Sequence, residues 1–541
     1  MKRKLFTLVC LLLALHKLHA QERINADVKS ALEMANADVL KANITYLADD
    51  KLLGRQPGKP GYQMAVDYVI AELQKNDVEP AGEKGTWLQT ILMRRASITP
   101  GFKATLTNAG KVTDLVGGKD ITLSPNPSST KGSADADLVF VGYGITASGL
   151  AYDDYQGVNV KGKLVLVLRG APESFPASDA SHHQNAVTIQ SNALAHGAVG
   201  VIMVTATTTG RGLINPRSSV SMLDQKGKLV SSSTYPFAKI KIVGTLSQPI
   251  CNAIFSEAGK DLAATVALLK KGQPQSFVTN SKLTAAYESS YVDFKTFNVA
   301  GKIVGTDSKL KKEFVVHSAH LDHMGVGAVV EGDSIYNGAH DNASGVSSLL
   351  QITRIYQGLK VKPKRSILIL MVTGEEMGLL GSSYFAAKPT IPVKNMVANV
   401  NTDMPTIIAP LLSVTALGAE HSTLVNPVAE AAAFLGLSVE PDPEPKENRF
   451  VRSDQYSFIK QGIPALHIKY GNKTADGKDN LSEFVGKWRA KYYHKPQDDI
   501  NGVFDFQAGR KYAQLNFLIG YLVANDVKRP NWNPGDIFEK K

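Results

Sequence analysis

From residue 296 onward, apolar β-like runs alternate with helical stretches, and this alternation constrains the fold more than any other feature of the sequence. The runs are FNVAGKIVG, EFVVHSAHL, RSILILMV, MVANVNTDM and PALHIKYG, and the helical stretches include GVSSLLQITRIYQGL and HSTLVNPVAEAAAFLG. Such alternation predicts an α/β fold with a mostly parallel central sheet sandwiched by helices. In such sheets, ligands bind at the carboxyl ends of the strands.

The chain before residue 296 has different patterns. Residues 37–74 read as two helical stretches separated by the turn GRQPGKPG. Between about residues 111 and 280, short β-like runs such as ADLVFVGYGI and KGKLVLVLRG dominate, which predicts a separate β-rich domain. A chain of 541 residues, 43% hydrophobic and 20% charged, has the size and composition of a globular protein with two or more domains.

The first twenty residues have the pattern of a secretory signal peptide. Lys2, Arg3 and Lys4 precede the apolar run 5–15, and cleavage is expected after Ala20. The alternative is a membrane anchor, but the run is about half the ~20 residues that a spanning helix needs. We therefore expect an exported protein, periplasmic or extracellular, without stable membrane insertion.

Charge and cysteine content restrict the possible partners and cross-links. Without residues 1–20 the net charge falls from +11 to +7, because four lysine and arginine residues are lost and no acidic residue is lost. This charge is spread along the chain, and no basic cluster with interleaved aromatic residues indicates nucleic-acid binding. Cys251 is the one cysteine beyond residue 20, so the exported chain cannot form an internal disulfide.

Carboxylate and imidazole side chains are concentrated in five segments of the α/β region, mostly where a predicted strand ends. These residues are His320 and Asp322, Asp341, Glu375 and Glu376, Asp403, and His494. A pair of adjacent glutamates alone is more typical of a solvated turn. Because the carboxyl ends of parallel strands meet at one edge of a sheet, we expect the five segments to converge on one site.

Crowded carboxylates repel one another unless a cation neutralises them, and histidine with aspartate and glutamate is a ligand set that suits zinc. Two ions about 3.5–4 Å apart, sharing a bridging carboxylate and a bridging water, fit a hydrolytic two-metal site. His320 is expected to bind metal while Asp322 accepts the proton of its other ring nitrogen. Asp341, at a helix start, is placed to bridge. One of Glu375 and Glu376 would bind metal while the other takes a proton from water.

The ordered segments HLD, DNASG, GEE, NTDM and YHKPQDD resemble those of the zinc metallopeptidases of peptidase family 28, which have the co-catalytic aminopeptidase fold. The resemblance covers roughly residues 37–110 and 280–526. It implies the following zinc ligands: His320 and Asp403 on one ion, Glu376 and His494 on the other, and Asp341 bridging both. It also implies that Glu375 is the general base and that Asp322 orients His320.

This resemblance gives the domain boundaries. After the signal peptide, residues 21–110 are expected to form the N-terminal part of the peptidase domain and residues 281–541 its main catalytic part. Residues 111–280 resemble a protease-associated domain inserted between them, through runs such as ADLVFVGYGI and NALAHGAVGVIMV. Such an insertion implies a role in substrate access and no part in the chemistry.

Several residues near the proposed ligands have two possible roles. Tyr493 matches a position where family members can place a phenol near the developing oxyanion, or it packs on its loop. His323 and His340 flank proposed ligands and are expected to have supporting or structural roles, although they could line the cleft. Arg449 and Arg452 would meet a substrate carboxylate or form ordinary loop salt bridges.

The expected reaction is hydrolysis of a peptide bond by a water that two zinc ions activate, with Glu375 as general base. The resemblance favours an exopeptidase, and an aminopeptidase in particular, so the expected partner is a peptide substrate. A carboxypeptidase or dipeptidase on the same fold is the first alternative. A single-zinc glutaminyl cyclotransferase and a non-catalytic receptor-like binding protein are alternatives from other classes. The sequence does not indicate the oligomeric state.

Overall fold

The computed structural model describes residues 23–206, 213, 218–232, 235, 237, 239–447 and 449–539. The predicted signal peptide, residues 1–20, lies outside the described residues. Packing divides the chain into two compact units, each described by itself below. The first unit combines Met1–Thr90 with Phe297–Lys541, and the second unit is Ile91–Thr296. The identity of the second unit as a protease-associated domain stays a prediction.

A mixed β-sheet forms the centre of the first unit. In spatial order its strands are Glu79–Pro80, the end of Ser276–Ile303, Ser366–Val372, Phe314–His320, Met396–Asn401, Ala465–Tyr470, Ser413–Leu417 and Ser438–Val439. The four central strands are parallel to one another. Their register places His320 opposite Val372 and Ser318 opposite Asn401, so these three strands end nearly level and their following loops begin at one edge.

The central strands are buried on both faces because helices cover both. Val315 packs in one hydrophobic core, whereas its neighbour Val316 packs in the core of the opposite face, as expected from the two-residue period of a strand. The helices of the first unit are Ala26–Leu32, Ala37–Leu47, Pro60–Lys75, Ser344–Gly358, Leu380–Ala387, Val425–Phe434, Gln455–Ile459, Leu481–Tyr492 and Phe506–Asn525. None of the helices in the described part of the chain is long and apolar enough to cross a membrane.

Local sequence explains where several of these helices begin. Asn36 caps Ala37–Leu47 by accepting hydrogen bonds from two main-chain N–H groups, and Asp505 caps Phe506–Asn525 in the same way through the N–H of Ala508. The helix Pro60–Lys75 begins with proline, which has no N–H to leave unpaired. These helices therefore start at the positions that their polar or proline residues dictate.

The second unit is rich in β-structure. Its strands are Leu88–Ile98, Lys103–Asn108, Lys111–Asp114, Ile121–Leu123, Lys131–Val141, Thr146–Ala147, Tyr152–Asp153, Leu164–Leu168, Gly200–Val204, Ser218–Leu223, Leu229–Ser232, Ile242–Leu246 and the first part of Ser276–Ile303. Its described helices are Ala177–His183, Ala186–Ala195, Gln248–Glu257 and Leu262–Lys270. Leu164–Leu168 and Gly200–Val204 are buried and parallel to each other.

The predicted fold class is confirmed: the first unit is a mixed α/β structure with a large central sheet and helices on both faces. One strand differs from expectation. The run FNVAGKIVG is the end of a 28-residue strand, Ser276–Ile303, which pairs antiparallel with Ser366–Val372. The short connection after Ile303 reverses the chain before Phe314–His320 begins. Because Phe314–His320 is parallel to Ser366–Val372, the preceding strand Ser276–Ile303 is antiparallel to Ser366–Val372.

Candidate metal centre

The sheet brings the five predicted acid and imidazole segments together in the first unit. His320 is the last residue of its strand, Glu375 and Glu376 lie in the turn after Ser366–Val372, and Asp403 follows Met396–Asn401. The two remaining residues come from loops beside helices: Asp341 precedes Ser344–Gly358, and His494 follows Leu481–Tyr492. The level strand ends therefore place side chains from distant parts of the sequence at one edge.

Asp341 lies at the centre of this group. Its Oδ1 atom is 3.3 Å from His320 Nε2, and its Oδ2 atom is 3.2 Å from His494 Nε2. Each of these imidazole nitrogens also faces a second carboxylate: Asp403 Oδ1 lies 3.3 Å from His320 Nε2, and Glu376 Oε2 lies 3.2 Å from His494 Nε2. The arrangement consists of two imidazole–carboxylate clusters that share one carboxylate.

His323 belongs to the second cluster, which its sequence context did not reveal. Its Nδ1 atom is 2.6 Å from Glu376 Oε1, and His323, Asp341 and Glu376 are close enough together to hold one ion. His320, Asp341 and Asp403 form the corresponding group in the first cluster. His323 is fully buried, whereas the His494 side chain is 33% exposed, so the second cluster offers an inner and an outer imidazole.

Mutual proximity changes the protonation of the clustered groups. Burial alone would lower the pKa of His320, but the carboxylates of Asp341 and Asp403 raise it well above its usual value. Against the same effect of burial, Asp341 and Glu376 raise the pKa of His494 to about 10. In the absence of a metal ion, each histidine therefore tends to hold the positive charge that the neighbouring carboxylates require.

Glu375 is electrostatically different from its neighbour Glu376. Burial raises the pKa of Glu375 well above its usual range, and the carboxylates of Glu376 and Asp403 raise it further. Burial would also raise the pKa of Glu376, but contacts with His323 and His494 keep it below its usual value. In the absence of a metal ion, Glu375 therefore tends to hold a proton whereas Glu376 tends to be ionised. The roles of base and metal ligand for this pair stay predictions.

Asp322 supports the centre in a different way from the one expected. The His320 Nδ1 atom is 3.1 Å from the main-chain oxygen of Asp322, and its distance from the Asp322 carboxylate is 4.0 Å. The carboxylate instead accepts a hydrogen bond from the N–H of Glu375 at 3.2 Å. The main-chain carbonyl therefore orients the imidazole, because it lies directly in the path of the Nδ1 proton, and the carboxylate positions the glutamate turn.

Two polar residues hold Asp341 in place. Asp498 accepts hydrogen bonds from the N–H groups of His340 at 2.9 Å and Asp341 at 3.0 Å. Asn342, which follows a cis peptide bond, accepts hydrogen bonds from the N–H groups of Gly345 and Met404. The turn that carries Asp341 is thereby connected both to the segment after His494 and to the segment after Asp403.

A buried arginine supports the same edge from the N-terminal part of the first unit. Arg55 donates to the main-chain oxygens of Leu321, Leu47, Asn337 and Gly338. Its guanidinium is 1% exposed and connects the chain on either side of the HLD and DNASG segments. The sequence analysis interpreted its surroundings, GRQPGKPG, as a turn and did not identify Arg55 as a supporting residue.

The structure also shows what the residues with two possible roles contact. Tyr493 stacks on the His494 ring at a centroid distance of 3.8 Å and lines a cleft together with Glu375. His340 stacks on Phe504 at 4.1 Å, which is a structural role. Arg449 forms ion pairs with Asp442 and Glu444, and Arg452 forms an ion pair with Glu447. These three acidic partners lie within residues 442–447. Both arginines also line the cleft.

Comparison with known proteins identifies the class of this domain. Residues 298–515 match the sequence profile of Peptidase family M28. No curated protein sequence matches the chain significantly. The protein therefore carries a domain similar to peptidase family M28 and is an enzyme of the peptidase class.

Solved structures of similar fold include three bacterial proteins. The aminopeptidase from Aneurinibacillus sp. strain AM-1 is 19% identical, with a TM-score of 0.51 over 94% of this chain and 100% of that chain. BSAP, a zinc aminopeptidase from Bacillus subtilis, is 20% identical, with a TM-score of 0.43 over 93% and 98%. A peptidase M28 precursor from Shewanella amazonensis is 16% identical, with a TM-score of 0.41 over 94% and 98%. The first of these similarities supports the fold.

Proposed function

We propose that the protein is an exported aminopeptidase that hydrolyses N-terminal residues from peptides at a two-zinc centre. The observation that carries the proposal is the position of Asp341, whose two carboxylate oxygens face two different imidazoles at 3.3 Å and 3.2 Å. A carboxylate that pairs with a separate ligand group on each side is placed to bridge two ions. The peptidase family M28 match and the aminopeptidase from Aneurinibacillus sp. strain AM-1 among the similar structures support peptide hydrolysis.

The donor set fits zinc in type and in charge. Imidazole nitrogens and carboxylate oxygens are common zinc ligands, and the group is buried. The proposed ligands are His320 and Asp403 for one ion, Glu376 and His494 for the other, and Asp341 for both. His323 competes with His494 for the second ion, because both rings approach Glu376. Without a cation, the carboxylates of the cluster would face one another across a largely buried site, which is costly.

Zinc in such a centre lowers the pKa of water and polarises the carbonyl of the scissile bond. Glu375 is placed to take the proton of the attacking water, because it lines the cleft beside Asp341 and Asp403. The same carboxyl group would then give the proton to the leaving amine. Tyr493 is the proposed donor to the developing oxyanion. Burial raises the pKa of its phenol well above the usual value, so the donor proton is retained at neutral pH.

The acidic residues around the centre favour cleavage from the amino end of the substrate. Asp341, Glu375 and Asp403 line the cleft and are suited to receive the free α-amine of a substrate. A carboxypeptidase or dipeptidase is the alternative, since Arg449 and Arg452 line the same cleft. Export is proposed from the sequence of residues 1–20 alone.

The direct test is cleavage of one short peptide and its N-acetylated twin by the zinc-loaded protein, with mass spectrometry of the released residues. An aminopeptidase cuts only the peptide with the free amine and releases its first residue. Equal cleavage of both peptides from the carboxyl end would identify a carboxypeptidase instead. Cleavage of neither peptide, by protein with full zinc content, would contradict the proposed peptidase activity.

A further inference from the structure

Both carboxylates and cations line the cleft beside the candidate metal centre. Asp341, Glu375 and Asp403 belong to the metal centre. Four basic side chains also line the cleft: Arg449, Arg452, Lys469 and Arg489. Such a cleft suits a short substrate that carries an anionic group at a distance from its reacting bond.

Three of the four cations already have protein partners. Lys469 donates to the main-chain oxygens of Asp403 at 2.9 Å and Met404 at 2.7 Å. Arg449 and Arg452 form the ion pairs with acidic residues of their own loop that are described above. These three side chains therefore position main-chain groups or stabilise their loop. Each would have to break these contacts in order to bind a substrate.

Arg489 differs from the other three. Among the described residues, no carboxylate lies within 4.0 Å of its guanidinium, and no side-chain hydrogen bond fixes it. The guanidinium instead lies 4.2 Å from the centroid of the Tyr493 ring, which in turn stacks on the His494 ring at 3.8 Å. This contact with the ring uses no N–H group of the guanidinium in a hydrogen bond to a carboxylate, so these groups are available for a ligand.

The stack keeps Arg489 near the metal centre. The contacts of 4.2 Å and 3.8 Å place its guanidinium carbon no more than 8.0 Å from the centroid of the His494 ring, which is a proposed zinc ligand. One residue of extended chain spans about 3.3–3.6 Å. A carboxylate one or two residues from a scissile bond at the metal centre is therefore within the range of the guanidinium.

We propose that Arg489 binds a carboxylate of the substrate and thereby makes the enzyme selective for short peptides that carry one. This inference rests on the proposed peptidase function. The carboxylate has two possible sources: the free α-carboxylate of a dipeptide or tripeptide, or an acidic side chain next to the scissile bond. Both present the same planar anion, which a guanidinium can bind through two parallel hydrogen bonds.

The test uses two pairs of peptides and three variants of the full-length, zinc-loaded enzyme. Leu-Gly and Leu-Gly-amide differ in the terminal carboxylate, and Glu-Gly-amide and Gln-Gly-amide differ in the side-chain carboxylate. The variants are Arg489→Ala, Arg489→Lys and the control Lys487→Ala. Lys487 is a matched control because it lies on the same helix, with its ammonium 5.7 Å from the Phe484 ring, and does not line the cleft.

Arg489→Ala should lower kcat/KM about tenfold for the carboxylate-bearing member of one pair, mainly through KM, as expected for loss of a hydrogen-bonded charge. The amide or glutamine twin should change less than about twofold, Arg489→Lys should retain part of the selectivity, and Lys487→Ala should behave as wild type. The pair that shows the effect identifies the source of the carboxylate.

Three outcomes would overturn the proposal, and they differ in what they say about the enzyme. If the wild-type enzyme cleaves all four peptides but does not prefer the carboxylate in either pair, Arg489 is not a substrate-binding residue and the peptidase function stands. An equal loss on both members of each pair in Arg489→Ala would likewise assign Arg489 a structural role. If wild-type enzyme with full zinc content cleaves none of the four peptides, and also cleaves no peptide of greater length, the peptidase function fails and this inference fails with it.

Discussion

Buried carboxylates occur in both units of the molecule, and their partners differ. In the second unit, Asp154 is fully buried and accepts hydrogen bonds from the N–H groups of Tyr143 and Ile145 and from the hydroxyl of Tyr152, at 2.9–3.1 Å. In the first unit, Asp341 is also buried, but both of its carboxylate oxygens face imidazoles that other carboxylates share. Asp154 is satisfied by local neutral donors, whereas the Asp341 cluster needs positive charge.

The comparison separates a structural acid from a functional one. A carboxylate that is surrounded by neutral hydrogen-bond donors fixes the loop that supplies those donors, and it needs no further partner. Carboxylates that converge from separate strands and share histidines as partners form a candidate site for a cation. Four variants test this distinction, beginning with the largest expected effect.

Replacement of the shared carboxylate should abolish activity. Asp341→Ala removes an atom pair that both proposed zinc ions need, so peptide hydrolysis is expected to fall by at least roughly 1,000-fold and zinc content to fall with it. Peptide turnover and elemental analysis of the purified variant measure the two effects. Asp476→Ala, at an exposed loop carboxylate, is the control and should change neither. Full zinc content in Asp341→Ala would show that Asp341, like Asp154, has only a structural role.

Loss of the proposed base should separate turnover from metal binding. Glu375→Gln keeps the size of the side chain but cannot take a proton, so kcat is expected to fall by about 100- to 10,000-fold while zinc content remains that of the wild type. Steady-state kinetics with zinc analysis measures both. Retention of most of the wild-type rate would show that another group is the base.

Asp154, the structural acid, should make the free energy of unfolding depend on pH. Burial raises the pKa of Asp154 from 3.8 to about 7, although its three hydrogen bonds oppose that rise. Between these two values the folded chain binds a proton that the unfolded chain has released. Stability therefore declines as pH rises from 4 through 7.

Asp154→Asn should remove this dependence, which amounts to roughly 2–4 kcal/mol between pH 4 and pH 8. The measurement is the free energy of unfolding of wild type and variant over this range, with hydrogen exchange at the amides of Tyr143 and Ile145 as the local readout. Parallel curves for the two proteins would contradict the shifted pKa. Peptide turnover should not follow this pH dependence, because Asp154 is not part of the metal centre.

Asp498 combines the two kinds of acid, because it accepts hydrogen bonds as Asp154 does but positions the turn that carries Asp341. Asp498→Asn is expected to weaken zinc binding by about 10- to 100-fold, the range typical of residues that orient metal ligands. Competition with a chelator of known affinity measures the change. Unchanged zinc affinity, with only a loss of thermal stability, would assign Asp498 a purely structural role.

Much of the fold and of the site follows from local sequence. The alternation after residue 296 predicts the central parallel strands because the strands are buried on both faces and contain few polar residues. The seven acid and imidazole residues were identifiable because strand ends in such a sheet share one edge. The structure brings all of them together, although their individual roles in binding metal stay proposals.

The parts that local sequence did not reveal depend on contacts between distant segments. His323 follows Asp322 directly, and only the turn after the strand places its ring against Glu376. Arg489 lies on an amphipathic helix like many solvated arginines, and its unpaired position is visible only once Tyr493 is placed. The carbonyl that orients His320 belongs to the main chain, so no choice of side chain could predict it.

The most direct test of the distinction between the two kinds of acid is the number of zinc ions that metal-free protein binds. Titration of the chelator-treated full-length chain with zinc, followed by native mass spectrometry, should give two ions per chain, with peptide hydrolysis returning as they bind. One ion would contradict the bridging role of Asp341 and favour a single-zinc enzyme. Binding of no zinc would contradict the metal centre itself.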